Sequence, residues 1–230
     1  MPDWMHVRYE PTREAAQLAD EDRRRLRIRL QTLQSQRLRH THQDLARDGR
    51  YGALAEFFFE DIYGPQEFHE RDARFRQLYS KLVTIVGPRP LELMREAIEL
   101  VELTEVLDDY LLDVLILHGK AHHLTLEGYE WAYRVCDNFQ ARVEQIERTG
   151  ATLRAVSELG RLPLIDWQLN ALRLPASRLG WTPTLDFLIR GYKALRRAGD
   201  IEPFISTVET REMARRVRIY GGAAPAMNQP

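Results

Sequence analysis

Cysteine is nearly missing from this chain, with Cys136 alone among 230 residues. One cysteine excludes an intramolecular disulfide and any multi-cysteine metal site, and it fits a reducing cytoplasm. A surplus of charge is missing too. Lys and Arg number 33 against 34 Asp and Glu, so no global field draws nucleic acid or an anionic membrane. The longest apolar-rich run, YLLDVLIL, falls far short of the roughly 20 residues that span a bilayer. The opening MPDWMHVRYEPTRE holds no apolar core of a signal peptide. The expectation is a soluble, cytoplasmic protein with no membrane or nucleic-acid partner.

The common signatures of chemistry are also lacking. HExxH, a glycine-rich phosphate loop and GxSxG do not occur. No glutamate has a histidine three residues on, which argues against a ferritin-like di-iron bundle. The sequence implies no cofactor.

What is present is helical period, with no convincing alternating strand. Hydrophobic residues make up 44% of the chain, enough for a sizeable core. Glycine and proline punctuate the pattern where helices should stop and start. The spacing predicts a helix from Thr12 to about Gly49, interrupted near His40-Thr41-His42. Others follow at Tyr51–Tyr63, Gln66–Val86 and Pro90–His118, the last whole or kinked. From Thr125, an N-cap residue, a helix is expected to reach Gly150, with Tyr129, Ala132, Cys136, Phe139, Val143 and Ile146 on its buried seam. Short helices are expected at about 151–159 and 163–173. Thr182-Pro183 opens a helix closed by Gly199, and Asp200 caps a last one ending at Gly221-Gly222. The reading is one all-α domain over residues 1–222, a bundle of about eight to ten helices, with a disordered tail at 223–230.

The stretch FFFEDIYGPQEFHERD, residues 57–72, stands out. Neighbours on a helix lie about 100° apart, so Phe57, Phe58 and Phe59 cover more than half its circumference. Such a helix should be enclosed by others. Glu60 and Asp61 follow in its last turn, where the helix dipole disfavours negative charge. Arg71 or Arg74 would neutralise them, with Glu70 and Asp72 nearby. FFFEDIY resembles the signature of the bacterial FFLEELY-motif proteins, in which two phenylalanines, an acidic pair and a tyrosine precede a glycine. Phe59, Asp61 and Ile62 are conservative departures from it, and Tyr63 keeps the tyrosine. The likeness continues at Arg71-Asp72, Leu107-Asp108, Arg142 with Gln145, Arg173 with Pro175-Ala176, Gly191 and Arg211-Glu212. That group has no assigned activity, so the resemblance implies a single domain and no chemistry.

Other polar residues are candidates. Asp108 falls among Ala97, Val101, Leu112 and Leu115 on the apolar side of its helix, so it must be paired, hydrogen-bonded, or an N-cap at a break. Asp109 and Asp113 resemble part of the magnesium-binding motif of helical prenyl-diphosphate enzymes. The full spacing is wrong, and a polar face continuing Glu92, Glu96, Glu99 and Glu102 is the plainer reading. His118 and His122 have the separation of a metal clamp, but Gly119 between them reads as a helix end. His118 is therefore expected as a core histidine, and His40 and His42 as residues of a solvated turn. Cys136 is expected to pack as a small hydrophobe. The arginines of RRRLRIRL, with Arg37, Arg39, Arg47 and Arg50, are scattered around their helix and should pair with acidic neighbours such as the Glu92–Glu102 stripe.

Two function classes follow. No residue spacing demands a reaction, which favours a non-enzymatic binding or protein-interaction module. The alternative is an interior constellation of Glu60, Asp61, Arg71, Asp108 and His118 around a pocket that holds a small molecule, metal or haem, or supports catalysis.

Overall fold

The computed structural model describes residues 18–62, 64, 88–161, 170–171, 173–180 and 182–221. Among them are nine α-helices, one π-helical turn and no strand. α1 covers Asp20–Thr41, α2 Gln43–Arg47 and α3 Gly52–Glu56, which runs directly into the π turn Phe57–Ile62. α4 is Pro88–Leu117, α5 Leu126–Cys136, α6 Phe139–Gly160, α7 Arg173–Leu179, α8 Thr182–Ala198 and α9 Glu202–Ile219. The fold is all-α.

Several boundaries follow the sequence signals. α1 gives way to α2 at His42, within the expected interruption. The Thr125 hydroxyl accepts the Gly128 N–H at 3.1 Å and caps α5. Gly119, Gly199 and Gly221 have φ of 65°, 68° and 67°, the left-handed conformation that ends helices.

Other boundaries differ. The helix expected to run from Thr125 to Gly150 breaks at Asp137, at φ 47° and ψ 37°, a conformation that a short carboxylate side chain tolerates. α6 then continues through Gly150 to Gly160 and absorbs the short helix expected at 151–159. Gly150 supplies space instead of a terminus, since a Cβ there would lie 1.8 Å from Oε1 of Glu209. α4 is continuous past Asp108. No helix is expected at Arg173–Leu179, where α7 forms. The expected helix at Gln66–Val86 and most of that at 163–173 lie outside the described residues, as does the tail.

α4 packs along α5 and α6, α6 along α9, and α8 against α3, the π turn, α6 and α7, while α1 crosses α4 and the π turn. Two apolar cores result. The first joins Leu38, Leu54, Phe58, Phe59, Leu195, Phe204, Ile205 and Val208. The second joins Leu26, Leu30, Leu111, Leu115, Tyr129, Tyr133, Phe139 and Ile219. Two helices thread both. α1 places Leu26 and Leu30 in the second core and Leu38 in the first, and α9 runs from Phe204 in the first to Ile219 in the second. Between Leu30 and Leu38 on α1, and between Val208 and Ile219 on α9, the residues they bury are polar: Gln31, Gln34, Ser35 and Arg37, and Glu212 and Arg216.

Candidate functional site

The cores therefore meet at a polar seam. α4 contributes Thr104 and Asp108, α5 Tyr129 and Tyr133, and α6 Arg142 and Gln145; with Gln34, Arg37, Glu212 and Arg216 these line a cavity of about 50 Å³. Phe58, Ile146, Leu153, Ile205 and Val208 form an apolar part of its wall.

Three guanidinium groups are buried here, and two donate hydrogen bonds to carboxylates. Arg142, 2% exposed, donates from Nη1 and Nη2 to Oδ1 of Asp108 at 3.1 and 3.2 Å, to the Leu107 carbonyl at 2.8 Å and to Oε1 of Gln145 at 3.1 Å. Gln34 donates to the same Asp108 oxygen at 3.0 Å, and Gln145 donates to Thr104 at 2.9 Å. Arg37 donates through Nη1 to Glu212, whose Oε1 also lies 3.2 Å from Nε2 of His42. Burial by itself would raise the Glu212 carboxyl. Arg37, the His42 hydrogen bond and Arg216 reverse that and hold it far below the usual carboxylate range.

Arg216 is the third. Its Nη2 is 3.9 Å from Oε2 of Glu212, beyond hydrogen-bond reach, and its Nε and Nη1 have no hydrogen-bond acceptor among the described residues. Beyond Glu212, the compensation is aromatic. The guanidinium carbon of Arg216 sits 4.4 Å from the Tyr133 ring centroid, and that of Arg142 sits 4.7 Å from it. The Nε atoms of Arg37 and Arg142 are also without acceptors. Glu209 also stands at the cavity wall, where Arg154 binds both its oxygens at 3.0 Å while binding Glu202 as well. Three guanidinium groups and three carboxylates thus line the cavity, and of the three guanidinium groups only Arg216 holds its carboxylate beyond hydrogen-bond reach. The pKa of Arg215 is lowered first by burial and then by Arg37.

The π turn braces this seam. Ser35 of α1 donates to the Phe59 carbonyl at 3.0 Å. Phe59, fully buried, stacks on His42 with centroids 6.0 Å apart, and Phe58 reaches the cavity wall. A π turn is rare and often adjoins a functional site.

The sequence candidates separate. Asp108 lies in the seam, paired as its wheel position requires, and caps no helix break. Glu60 and Asp61 do not line the cavity: Glu60 pairs with Arg39, and Asp61 with Arg190 at 2.5 Å. Tyr63, Arg71 and Asp72 lie outside the described residues, so the expected partnership of Arg71 or Arg74 with these acids does too. Two histidine expectations are overturned. His118 is exposed, edge-on to Trp131, because Leu117 already begins the helix end and Gly119 turns the chain to solvent. His42 is fully buried, because the turn it occupies packs against α9. No group of three or more metal-ligating side chains occurs among the described residues. Asp109 and Asp113 instead meet Arg23 at 2.9 and 2.7 Å, so the first arginines of α1 reach these aspartates on α4. Cys136 is half-buried, and burial pushes its thiol up to about 11, leaving an unreactive group.

Arg37, Arg216, Gln34 and His42 were not legible as site residues. A signal for one of them exists: Arg216 stands one turn from Glu212, in line with Val208, Ile205 and Ile219. Two opposite charges on an apolar stripe must meet partners inside.

A family model for a domain of unknown function, DUF8198, matches residues 13–225. The chain belongs to that family. No curated protein and no solved structure matches it. The DUF8198 match spans all nine helices, so every element of the seam lies within it. No helix among the described residues is long and apolar enough to cross a membrane.

Proposed function

We propose that this protein is a non-enzymatic binding module whose seam chamber holds a small anion. One observation carries the reading: the buried guanidinium group of Arg216 lines the cavity, and its Nε and Nη1 have no acceptor among the described residues. A buried donor left without an acceptor is costly, and an anion beside it would accept from it. Chemistry beyond binding has little support. Burial pushes the Tyr133 phenol above its ordinary value, so it stays protonated, and the Thr104 and Thr149 hydroxyls already donate to the Leu100 and Gln145 carbonyls. A protein-interaction surface has less support, because among the described residues the exposed large apolar side chains Ile28, Leu117, Leu126, Val135, Leu174 and Val217 are spread over five helices. The reading takes residues 1–222 as one domain, and places the chain among the FFLEELY-motif proteins of the bacterial cytoplasm on the strength of FFFEDIY and the lone cysteine.

Thermal melting in formate, acetate or phosphate tests this, with ionic strength held by gluconate, an anion too large for the chamber. A ligand that binds only the folded state adds about 2.7 kcal/mol at a hundred times its Kd. At least one small anion should raise the melting temperature above the gluconate control, and Arg216→Gln should remove that rise. If no small anion exceeds the control, the binding role fails.

A further inference from the structure

The size, charge and wall of the chamber together select a ligand class within the anion-binding role. A cavity needs about 10–15 Å³ to admit one water, and about 150 Å³ accommodates benzene. At about 50 Å³ the chamber lies between these, with room for a handful of non-hydrogen atoms. Its donors are equally restrictive. Arg37 and Arg142 donate to Glu212 and Asp108, whereas Arg216 stands beyond hydrogen-bond reach of Glu212. A monoanion would accept from Arg216, whereas a dianion would set a second buried negative charge among the carboxylates of the wall.

The wall is also two-sided. Arg216, Arg37, Gln34 and Gln145 stand on the polar part, while Phe58, Ile146, Leu153, Ile205 and Val208 offer only hydrocarbon. An inorganic oxyanion presents polar oxygens in every direction and would set some against carbon without a donor. A carboxylate with a short alkyl tail satisfies both parts, its oxygens accepting charge-assisted hydrogen bonds and its tail leaving water.

Resting on the anion-binding reading, we propose that the chamber binds a short aliphatic monocarboxylate of about two or three carbons, its carboxylate toward Arg216 and its tail against Phe58 and Val208. Neutral isosteres are disfavoured because they accept weaker hydrogen bonds from Arg216 than a carboxylate does.

Calorimetric titration of the full chain with propionate, propionamide, formate and inorganic phosphate, at ionic strength set by gluconate, tests this. Propionate should bind saturably at one site, with propionamide and phosphate at least about tenfold weaker. Arg216→Met should weaken propionate by about 10- to 100-fold. Val208→Phe leaves every arginine in place and fills the apolar end, so it should admit formate and exclude propionate. That variant decides the matter if Arg216→Met does not fold. Phosphate binding without propionate would overturn the carboxylate assignment and leave the anion role standing. Equal binding of propionate and propionamide, or unchanged propionate affinity in Val208→Phe, would also overturn it. The absence of saturable binding by any of the anions would end both.

Discussion

Glu212 is ionised in a place where burial opposes ionisation, and Arg37, His42 and Arg216 are the groups that keep it so. Its folded-state pKa lies below the ordinary value of 4.5. The stability it contributes is therefore fully present above that value and is lost as pH falls from there toward the folded-state pKa. Glu212→Gln should cost about 3–5 kcal/mol in urea unfolding at neutral pH, because two arginines lose their nearest buried counter-charge. Between about pH 5 and pH 2 the variant should also show a flatter loss of stability than the parent. An unchanged pH slope would mean that Glu212 is not the acid-sensitive group. At this scale Asp108 was legible, because a carboxylate on an apolar stripe has to be paired. His42 was not, since nothing in HTH says which side of a turn packs inward. His118 misled because it extends the stripe of Leu100, Leu107 and Leu111 one turn beyond where the helix is covered.

The π turn is the element that joins the aromatic segment to the seam. It lets Phe58 and Phe59 both enter the first core while Phe57 turns to α8, 5.1 Å from the ring of Phe187. Gly191 on α8 makes the room. A Cβ there would stand 2.7 Å from Cζ of Phe57 and 3.0 Å from Cε1. Gly191→Ala should therefore destabilise by about 1–3 kcal/mol despite alanine's better helix propensity. Phe57→Leu in the same chain should recover part of that loss, and a double-mutant cycle measures the coupling. Additive losses would show that the Phe57 contact is not what fixes this glycine. The enclosure of the triple phenylalanine could be anticipated from helix geometry, whereas the widened turn could not. Its trigger is tertiary, a hydroxyl from Ser35 reaching the Phe59 carbonyl. The break at Asp137 was hidden for a related reason: the buried residues on either side keep a helical spacing through it.

Across the whole molecule, the all-helical class and most helix ends could be read from periodicity and from glycine positions. The convergence of α1, α4, α5, α6 and α9 on one seam could not, because it depends on packing between residues up to 175 positions apart, as in Arg37 with Glu212. The seam is expensive. Replacing a buried ion pair by well-packed hydrophobic residues is often neutral or stabilising, so the pairs here are weak evidence for a stabilising role. The Arg216 donors without acceptors make the cost larger still, and a bound anion gives it a physical reason. Arg142, Gln145 and Glu212 were visible in the sequence only as parts of a family likeness, and Asp108 also by its place on an apolar stripe. Their shared site emerged when two apolar cores were found to meet there.

The most direct measurement is anomalous diffraction from crystals of the full chain grown in sodium bromide. A bromide ion in contact with the Arg216 guanidinium, inside the chamber walled by Tyr133, Arg142 and Val208, is the predicted result. A chamber without bromide in crystals that hold it at surface sites would contradict the account. So would an Arg216 whose Nε and Nη1 donate to a carboxylate of the protein.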